Sequence, residues 1–337
     1  MPEIVKFIDL FCGIGGFRIA ADIVFKKYDI PYECVFSSDI DENARKVYNA
    51  NFNEYPHGDI QKINAKDIPD HDLLFAGFPC QPFSIIGNKK GFEDIRGTLF
   101  FEIARILKEK KPKAFILENV KQLVTHQTGN TFKKILETLS EIGYFHKHYI
   151  LNALDYGLPQ KRERVLILGF NKDIEFPKPK KNFKQIILSE ILETNIDNSY
   201  FVSNYILNKR KLKHKPKHFP SIWHENKAGN VCSYPYSCAL RAGASYNYLL
   251  VNGERRLTSR EMLRLQGFPD SYKIVAPYNQ VRKQAGNAVP VNLIQAVLEP
   301  FLPYILDKYY LPVINQDKFK IMENNEYGKE ISSLTYS

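Results

Sequence analysis

The organisation of the chain follows from one stretch, Leu73-Leu74-Phe75-Ala76-Gly77-Phe78-Pro79-Cys80-Gln81-Pro82-Phe83-Ser84. Its first four residues form an apolar run, which predicts a buried strand. Pro79 and Pro82 fix φ and withhold two backbone donors, so the strand has to end there. Cys80 should emerge at the carboxyl end of this strand, where open α/β sheets hold their ligands. On position alone, a buried structural thiol and a nucleophile both remain open.

Length and composition are those of a soluble globular protein. The chain has 337 residues, of which 44% are hydrophobic and 25% charged, enough for one large domain and a smaller one. No apolar run reaches about 18 residues, and the N-terminus opens onto a short strand pattern, so we expect neither a membrane helix nor a secretory signal. Five scattered cysteines without a CxxC pair predict neither a disulfide framework nor a metal site, and they fit a reducing cytoplasm.

The charge of the chain is unevenly distributed. The formal net charge is +10, and the segment 173–275 carries 17 Lys and Arg against nine Asp and Glu. Within that segment, 209–218 holds six Lys and Arg, two His and one Pro. A solvated basic face is the plain explanation, but one sign concentrated in one segment favours a polyanionic partner such as nucleic acid.

A glycine-rich turn follows the first predicted strand, Val5–Leu10. The glycines of Gly13–Gly16 let the backbone approach a ligand closely. Arg18 stands where a dinucleotide fingerprint needs its third glycine, which disfavours a nicotinamide oxidoreductase. Asp39 follows about 20 residues later, where a carboxylate can accept hydrogen bonds from ribose hydroxyls. A helix cap is the equally open alternative for Asp39.

Two further predicted strands place polar side chains at their ends. The run Phe115-Ile116-Leu117 leads into Glu118, and a carboxylate at the end of a strand is a site candidate. Arg162 and Arg164 precede the strand Val165–Phe170 and share one face of an extended chain. Strands that alternate with helices as far as residue 170 predict a doubly wound, mostly parallel α/β sheet.

The motifs in this order resemble the DNA cytosine-5 methyltransferase family, above all its small bacterial restriction–modification enzymes. The resemblance runs from Lys6 to Leu298. Its strongest pieces are Phe7–Ala20, Gly77–Ser84, Gly91–Phe101, Glu118-Asn119-Val120, Gln160–Arg164, Arg256–Asp270 and Gln284–Val291.

The resemblance implies a class I S-adenosylmethionine-dependent methyltransferase fold with a smaller DNA-recognition domain. We expect a catalytic and cofactor-binding domain over 1–176 and a target-recognition domain over 177–275. A return segment over 276–310 would complete the catalytic domain with an apolar helix that opens at Gln284 and runs through Leu298. The residues 311–337 read as a polar, disordered tail.

The resemblance also implies S-adenosylmethionine as the methyl donor. The family's cofactor contacts fall here on Phe11, Gly13, Gly15, Gly16, Asp39, Ile40, Asp59, Ile60, Pro79, Leu99, Asn287 and Val289. Phe11 would cover the adenine, and Asp39 would accept from the ribose hydroxyls. The family often has Glu and an aromatic residue where this chain has Asp39 and Ile40.

Four residues match the family's catalytic set. Cys80 corresponds to the nucleophile, whose thiolate adds to C6 of cytosine and makes C5 nucleophilic. Glu118 corresponds to the acid that engages N3 and the exocyclic amine. Arg164 corresponds to the contact with O2 of the base. Arg162 would lie close by, where it would orient the neighbouring groups and neutralise their charge.

The expected partner is double-stranded DNA, with no membrane. The target base has to be flipped out of the duplex, and the glycine-bearing loop 81–98 would close over it, although an ordinary surface loop is the alternative. DNA-contact candidates are Gln81, Ser84, Lys89 and Arg96 in this loop, and Arg241 and Tyr246 beside Ala239-Leu240, which stands where the family often has Thr-Leu.

Two other functions stay open. An RNA cytosine methyltransferase could use the same catalytic set, but the Cys-Phe-Thr tripeptide of the tRNA-modifying relatives is missing from the sequence. A non-catalytic DNA-binding homologue would not need Cys80, Glu118, Arg162 and Arg164 together. We expect a cytoplasmic monomer, with a restriction endonuclease that acts on the same site without forming a stable complex. The recognition sequence itself cannot be read from these residues.

Overall fold

A six-stranded sheet forms the centre of the molecule. The computed structural model describes residues 4–79, 99–181 and 183–306. The first seven strands are β1 Val5–Leu10, β2 Tyr32–Ser38, β3 Leu73–Gly77, β4 Ala114–Val120, β5 Phe145–Asn152, β6 Gln160–Lys161 and β7 Glu163–Phe170. All but β6 belong to this sheet, in the order β2-β1-β3-β4-β7-β5. The pairs among β2, β1, β3 and β4 are parallel, whereas β7 is antiparallel to both β4 and β5.

Helices cover both faces of the sheet, which confirms the predicted doubly wound architecture. The helices are α1 Gly16–Lys27, α2 Glu42–Phe52, α3 Leu99–Lys110, α4 Asn130–Glu141, α5 Leu188–Ile191, α6 Asn204–Lys213, α7 Ser259–Leu265, α8 Tyr278–Asn287 and α9 Val291–Ile305. One buried cluster joins a sheet face to α1 and α9, and a second joins the other face to α3 and α4. The central strands between these layers are buried on both faces, which explains their near-continuous apolar sequences.

The chain returns to the central sheet through α8 and α9. The prediction of one helix opening at Gln284 was wrong, because two helices are separated at Ala288–Pro290. Pro290 has no backbone donor and restricts the residue before it, which explains the break. The stretch Tyr278–Ile305 is long and apolar enough to cross a membrane, but 67% of its apolar window is buried inside the fold, as in a core helix.

The last and first helices pack on each other. Glu299 of α9 accepts hydrogen bonds from Tyr28 and Lys27 at the end of α1. Lys180 adds an ion pair to the same carboxylate at 2.7 Å. These contacts and the extensive α1–α9 packing join α9 to the layer of helices on one face of the central sheet.

A smaller sheet lies in the predicted recognition region. Its strands are β8 Ile222–Glu225, β9 Val231–Tyr234 and β11 Leu249–Val251, in the order β11-β8-β9. The short strand β10, Ser237–Cys238, pairs with β6 instead. The segment after α7 also contacts the large domain, since the Tyr272 hydroxyl donates to the Ile14 carbonyl at 2.7 Å. The domain boundaries remain predictions, and the expected tail lies outside the described residues.

Candidate active site

The carboxyl ends of β3 and β4 meet at one edge of the sheet. Gly77, the last residue of β3, is the register partner of Glu118 in β4. A side-chain carbon on Gly77 would lie 3.6 Å from Oε2 of Glu118 and 3.3 Å from Cγ1 of Val289. Because β7 is antiparallel to β4, its beginning reaches the same edge and brings Arg164 there. Four distant parts of the sequence therefore converge where the strand leads towards Cys80.

Glu118 and Arg164 form a buried ion pair at this edge. Nε of Arg164 lies 2.7 Å from Oε1 of Glu118, and both side chains are about one-tenth exposed. Burial raises the pKa of Glu118, an effect larger than the opposing charges of Arg164 and Arg162. A carboxyl group in such surroundings holds its proton to a higher pH than an exposed one, which suits a proton donor.

Arg162 is placed differently from Arg164. Its side chain is 1% exposed. Nη1 donates to the Leu240 carbonyl at 2.8 Å, and Nη2 donates to the carbonyls of Gly286 and Ala288 at 2.9 and 2.8 Å. Burial lowers the pKa of Arg162 to about 9, so its guanidinium stays charged at neutral pH. These contacts tie the chain just after β10 to the end of α8 and the segment between α8 and α9.

Asn119 holds the end of β3 in place. Its Nδ2 donates to the Phe78 carbonyl at 2.8 Å, and its Oδ1 accepts from the amide of Val120 at 2.8 Å. Asn119 is 2% exposed. The sequence motif Glu118-Asn119-Val120 included this residue without a role. An amide next to a strand-end carboxylate was the available signal, because it can satisfy backbone groups where the ladder stops.

The glycine turn after β1 adopts a backbone conformation with positive φ, which glycine permits. Gly15 has φ +82° and caps α1 without a side-chain bond, and Gly13 has φ +53°. A side-chain carbon on Gly16 would lie 2.7 Å from Cγ2 and 2.9 Å from the carbonyl oxygen of Val289. Phe11, before the turn, also has positive φ. The turn and the Val289 segment are therefore in direct contact.

Asp39 lies next to this turn at the end of β2. Its Oδ2 accepts from the Gly13 amide at 2.8 Å, and its Oδ1 accepts from the Asp41 amide at 2.7 Å. Burial raises its pKa, although both of these hydrogen bonds lower it. The residue that caps α2 is Asp41, which removes the helix-cap interpretation of Asp39.

The other predicted cofactor residues lie on the surrounding elements. Ile40 is 75% exposed beside Asp39, and Ile60 is buried. Asp59 caps the short turn Ile60–Lys62 through its side chain. Leu99 is the first residue of α3, and Asn287 is the last residue of α8 and is exposed. Pro79 is exposed and precedes the gap in the described residues.

Several predicted residues lie outside the described residues. They are the nucleophile candidate Cys80 and the DNA-contact candidates Gln81, Ser84, Lys89 and Arg96. The remaining DNA candidates, Arg241 and Tyr246, are exposed on a loop between β10 and β11. The pair Ala239-Leu240, which stands where the family often has Thr-Leu, follows β10 directly. Leu240 is buried, and its amide donates to the side-chain oxygen of Gln160 at 2.9 Å.

Comparison with known proteins shows the family. A sequence model described as C-5 cytosine-specific DNA methylase matches residues 5–302. The chain belongs to this family. The Type II methyltransferase M.NgoBI of Neisseria gonorrhoeae is 59% identical over 297 residues, which cover 86% of this chain and 91% of the relative. M.HaeII of Haemophilus aegyptius is 56% identical over 297 residues, covering 87% and 91%.

Solved structures show the same fold at lower identity. The S. pombe Dnmt2 methyltransferase has a TM-score of 0.67 and 24% identity, covering 89% of this chain and 98% of its own. A Spodoptera frugiperda DNMT2 mutant has a TM-score of 0.68 and 20% identity, covering 90% and 100%. As a C-5 cytosine-specific DNA methylase, the protein is a DNA (cytosine-5-)-methyltransferase that acts on DNA.

Proposed function

We propose that the protein methylates C5 of one cytosine within a short, specific duplex DNA sequence, with S-adenosylmethionine as donor. The observation that carries this proposal is the buried Glu118–Arg164 ion pair at the edge where β3 leads towards Cys80. Relatives named Type II methyltransferases support a role in protecting host DNA within a restriction–modification system.

The residues of the glycine turn fit the cofactor. A side-chain carbon on Gly13 would meet no atom of the described residues within 4 Å, so among these residues the turn leaves open space beside the Asp39 carboxylate. Asp39 would accept from the ribose hydroxyls, and Phe11 would cover the adenine. Asp59, Ile60, Leu99, Asn287 and Val289 complete the proposed set. When bound, S-adenosylmethionine supplies an electrophilic methyl group on a sulfonium.

Cytosine C5 is a poor nucleophile and needs covalent activation. The thiolate of Cys80 adds to C6, and the electron pair of the C5–C6 double bond moves to C5. Glu118 holds a proton at N3 during this addition, and its raised pKa supports that assignment. Once C5 carries the methyl group, loss of the C5 proton restores the double bond and expels the Cys80 thiolate.

Arg164 and Arg162 have different roles in the proposed reaction. Arg164 orients Glu118 through their 2.7 Å contact and binds O2 of the base. Arg162 keeps the recognition region and the Ala288 segment in register beneath the site. The target atom lies inside the stacked duplex, so we include base flipping, with the loop 81–98 closing over the flipped base. Arg241 and Tyr246 would read the DNA from the small domain.

Bisulfite sequencing of DNA from a host that expresses the protein tests this function. We expect one cytosine within one short sequence to be protected, and no protection with Cys80→Ala. A covalent adduct with duplex DNA that contains 5-fluorocytosine should form only with the wild type, because fluorine blocks the final elimination. Modification of tRNA in place of duplex DNA, or full activity of Cys80→Ala, would contradict the proposal.

We further propose a cytoplasmic enzyme that acts as a monomer. A cognate endonuclease would act on the same DNA site without a stable complex, since both activities need only the DNA as a common partner. Size-exclusion chromatography with light scattering should give the mass of one chain for the free protein. With a cognate duplex it should give the mass of one chain plus one duplex.

A further inference from the structure

The loop 240–248, which joins β10 to β11, rests on the C-terminal half of α8. We propose that Arg282 of α8 is a positioning residue that fixes this loop and thereby determines how sharply the enzyme discriminates between DNA sequences. The inference rests on the proposed function, and it adds a residue that the catalytic, cofactor and DNA-contact sets do not contain.

Arg282 holds the loop by three contacts. Its Nη2 donates to the carbonyls of Ala244 and Ser245, at 3.0 and 3.1 Å. Its Cζ lies 4.1 Å from the centre of the Tyr246 ring, within the range of a cation–π contact. A planar guanidinium can stack on a ring and donate in its own plane at the same time, which a lysine ammonium cannot do.

The rest of the loop is held by contacts from α8, from α6 and from within the loop. A side-chain carbon on Gly286 would lie 2.4 Å from the Ala242 nitrogen, so α8 and the loop backbone are in close contact there. The Arg241 amide donates to the Tyr248 hydroxyl at 2.9 Å. At the far end, Arg210 donates to the Asn247 carbonyl. The backbone of the loop is thus held at several points before any DNA is bound.

The supported loop still exposes side chains to solvent, where a partner can contact them. Arg241, Ser245 and Tyr246 are exposed, and 240–248 contains neither Asp nor Glu. Hydrogen bonds to base edges discriminate only when the donor is held at the correct place and angle, so a fixed backbone raises discrimination more than it raises general affinity. DNA backbone contacts, which depend mainly on charge, are much less sensitive to such positioning.

Arg282 is also close to the cofactor end of α8 in sequence. Gly286 and Ala288 accept from Arg162, and Asn287 and Val289 belong to the proposed cofactor set. The helix α8 and the short segment that follows it therefore carry both the support of the loop and these proposed cofactor contacts. A substitution at Arg282 should affect the first and leave the second intact.

The test compares Arg282→Ala, Arg282→Lys and wild type on the protected sequence and on duplexes with one base pair changed. We expect Arg282→Ala to reduce the ratio of kcat/KM between these duplexes by about tenfold, the scale of one positioned base contact. Arg282→Lys should be intermediate. The Kd for S-adenosylhomocysteine, measured by calorimetry, should be unchanged. Arg256→Ala is the matched control, because Arg256 also donates to backbone carbonyls, of Ser199 and Tyr200, but not to the loop.

An unchanged ratio in Arg282→Ala, or an equal loss on every duplex, would overturn the inference. Hydrogen exchange provides a readout that needs no methylation. The amides of 243–247 should exchange faster in Arg282→Ala than in wild type or Arg256→Ala, and equal exchange would also overturn it. If the wild type modified no DNA while exchange changed as expected, the proposed function would fail and the support of the loop by Arg282 would stand.

Discussion

Gly16 and Val289 are 273 positions apart in the sequence and touch in the structure. A side-chain carbon on Gly16 would lie 2.7 Å from Cγ2 of Val289 and 2.9 Å from its carbonyl oxygen. Any substitution at Gly16 must therefore move backbone, because the carbonyl cannot rotate away as a side-chain end can. The contact joins the beginning and the end of the family resemblance at the proposed cofactor site.

Gly16→Ala should weaken cofactor binding. Overpacking of this kind costs about 1–3 kcal/mol, so the Kd for S-adenosylmethionine should rise by about tenfold or more. Calorimetric titration measures this. The control is Gly243→Ala, since a side-chain carbon there would meet no atom within 4 Å in the part of the chain that the structure describes. Equal affinity in Gly16→Ala and wild type would contradict the prediction, because it would show that Val289 can move away with no loss of binding free energy.

Glu118→Gln should lower kcat by about a hundredfold or more, because an amide cannot hold the proton at N3. The wild-type rate should also depend on pH through Glu118. Its pKa is raised by burial, and the protonated fraction falls as pH rises through that pKa, so the rate should fall in the same direction. The pH profile of kcat in Glu118→Gln should lack this decline. A profile that keeps it would assign the titration to another group.

Arg162→Ala and Arg164→Ala should fail in different ways. Removing Arg162 leaves three buried carbonyls without their donor, which should reduce the free energy of unfolding by about 3 kcal/mol or more. Removing Arg164 should reduce kcat with a much smaller loss of stability, because Glu118 can take up a proton when its partner is lost. Urea unfolding and methylation rates separate the two effects. Equal stability losses would contradict the assigned roles.

Asn119→Ala should reduce activity through the end of β3. The Phe78 carbonyl loses its donor, at a cost of about 1–3 kcal/mol, two residues before Cys80. Asn51→Ala is a matched control, since Asn51 also donates through Nδ2 to backbone carbonyls, at 2.9 and 3.1 Å. Both variants should lose thermal stability, but only Asn119→Ala should lose kcat. A normal kcat in Asn119→Ala would remove its proposed link to the nucleophile.

Asp9→Asn should stabilise the protein at neutral pH. Asp9 is fully buried in β1, and burial raises its pKa well above the ordinary value. The folded state therefore keeps a proton that the unfolded state releases as pH rises, which costs about 1.4 kcal/mol of stability per pH unit within that window. Asparagine removes this dependence. Urea unfolding at pH 4 and pH 7 should show a smaller difference in Asp9→Asn than in wild type, and an equal difference would refute the assignment.

The central sheet could be predicted because its strands are buried on both faces. The runs around Phe75, Ile116 and Ile167 are apolar without interruption, as that position requires. β5 was not predicted, because its burial is patchy and Phe145 and Ile150 are exposed. Thr258 and Glu261 form a capping box at the start of α7, as their spacing of three residues in the sequence indicates. The groups that form a capping box lie within four consecutive residues, so this feature can be predicted directly from the sequence.

The candidate site was predictable in its members more than in their roles. Arg162 and Arg164 look alike in the sequence, and only their partners separate them: three backbone carbonyls for one and a carboxylate for the other. Two contacts join segments about 40 residues apart in the sequence. They are the close approach of Gly286 to Ala242 and the hydrogen bond from Arg282 to the Ala244 carbonyl. No periodicity within either segment carries information about such a contact.

The packing of α9 against α1 also constrains how the protein is made. A chain leaves the ribosome from its N-terminus, so α1 is synthesised long before α9, the helix that packs against it, becomes available. The Val289 side of the proposed cofactor site arrives only just before that helix. We therefore expect growing chains to have no methyltransferase activity and to rely on chaperones to shield the apolar face of α1. Modification of DNA would then begin with finished molecules alone.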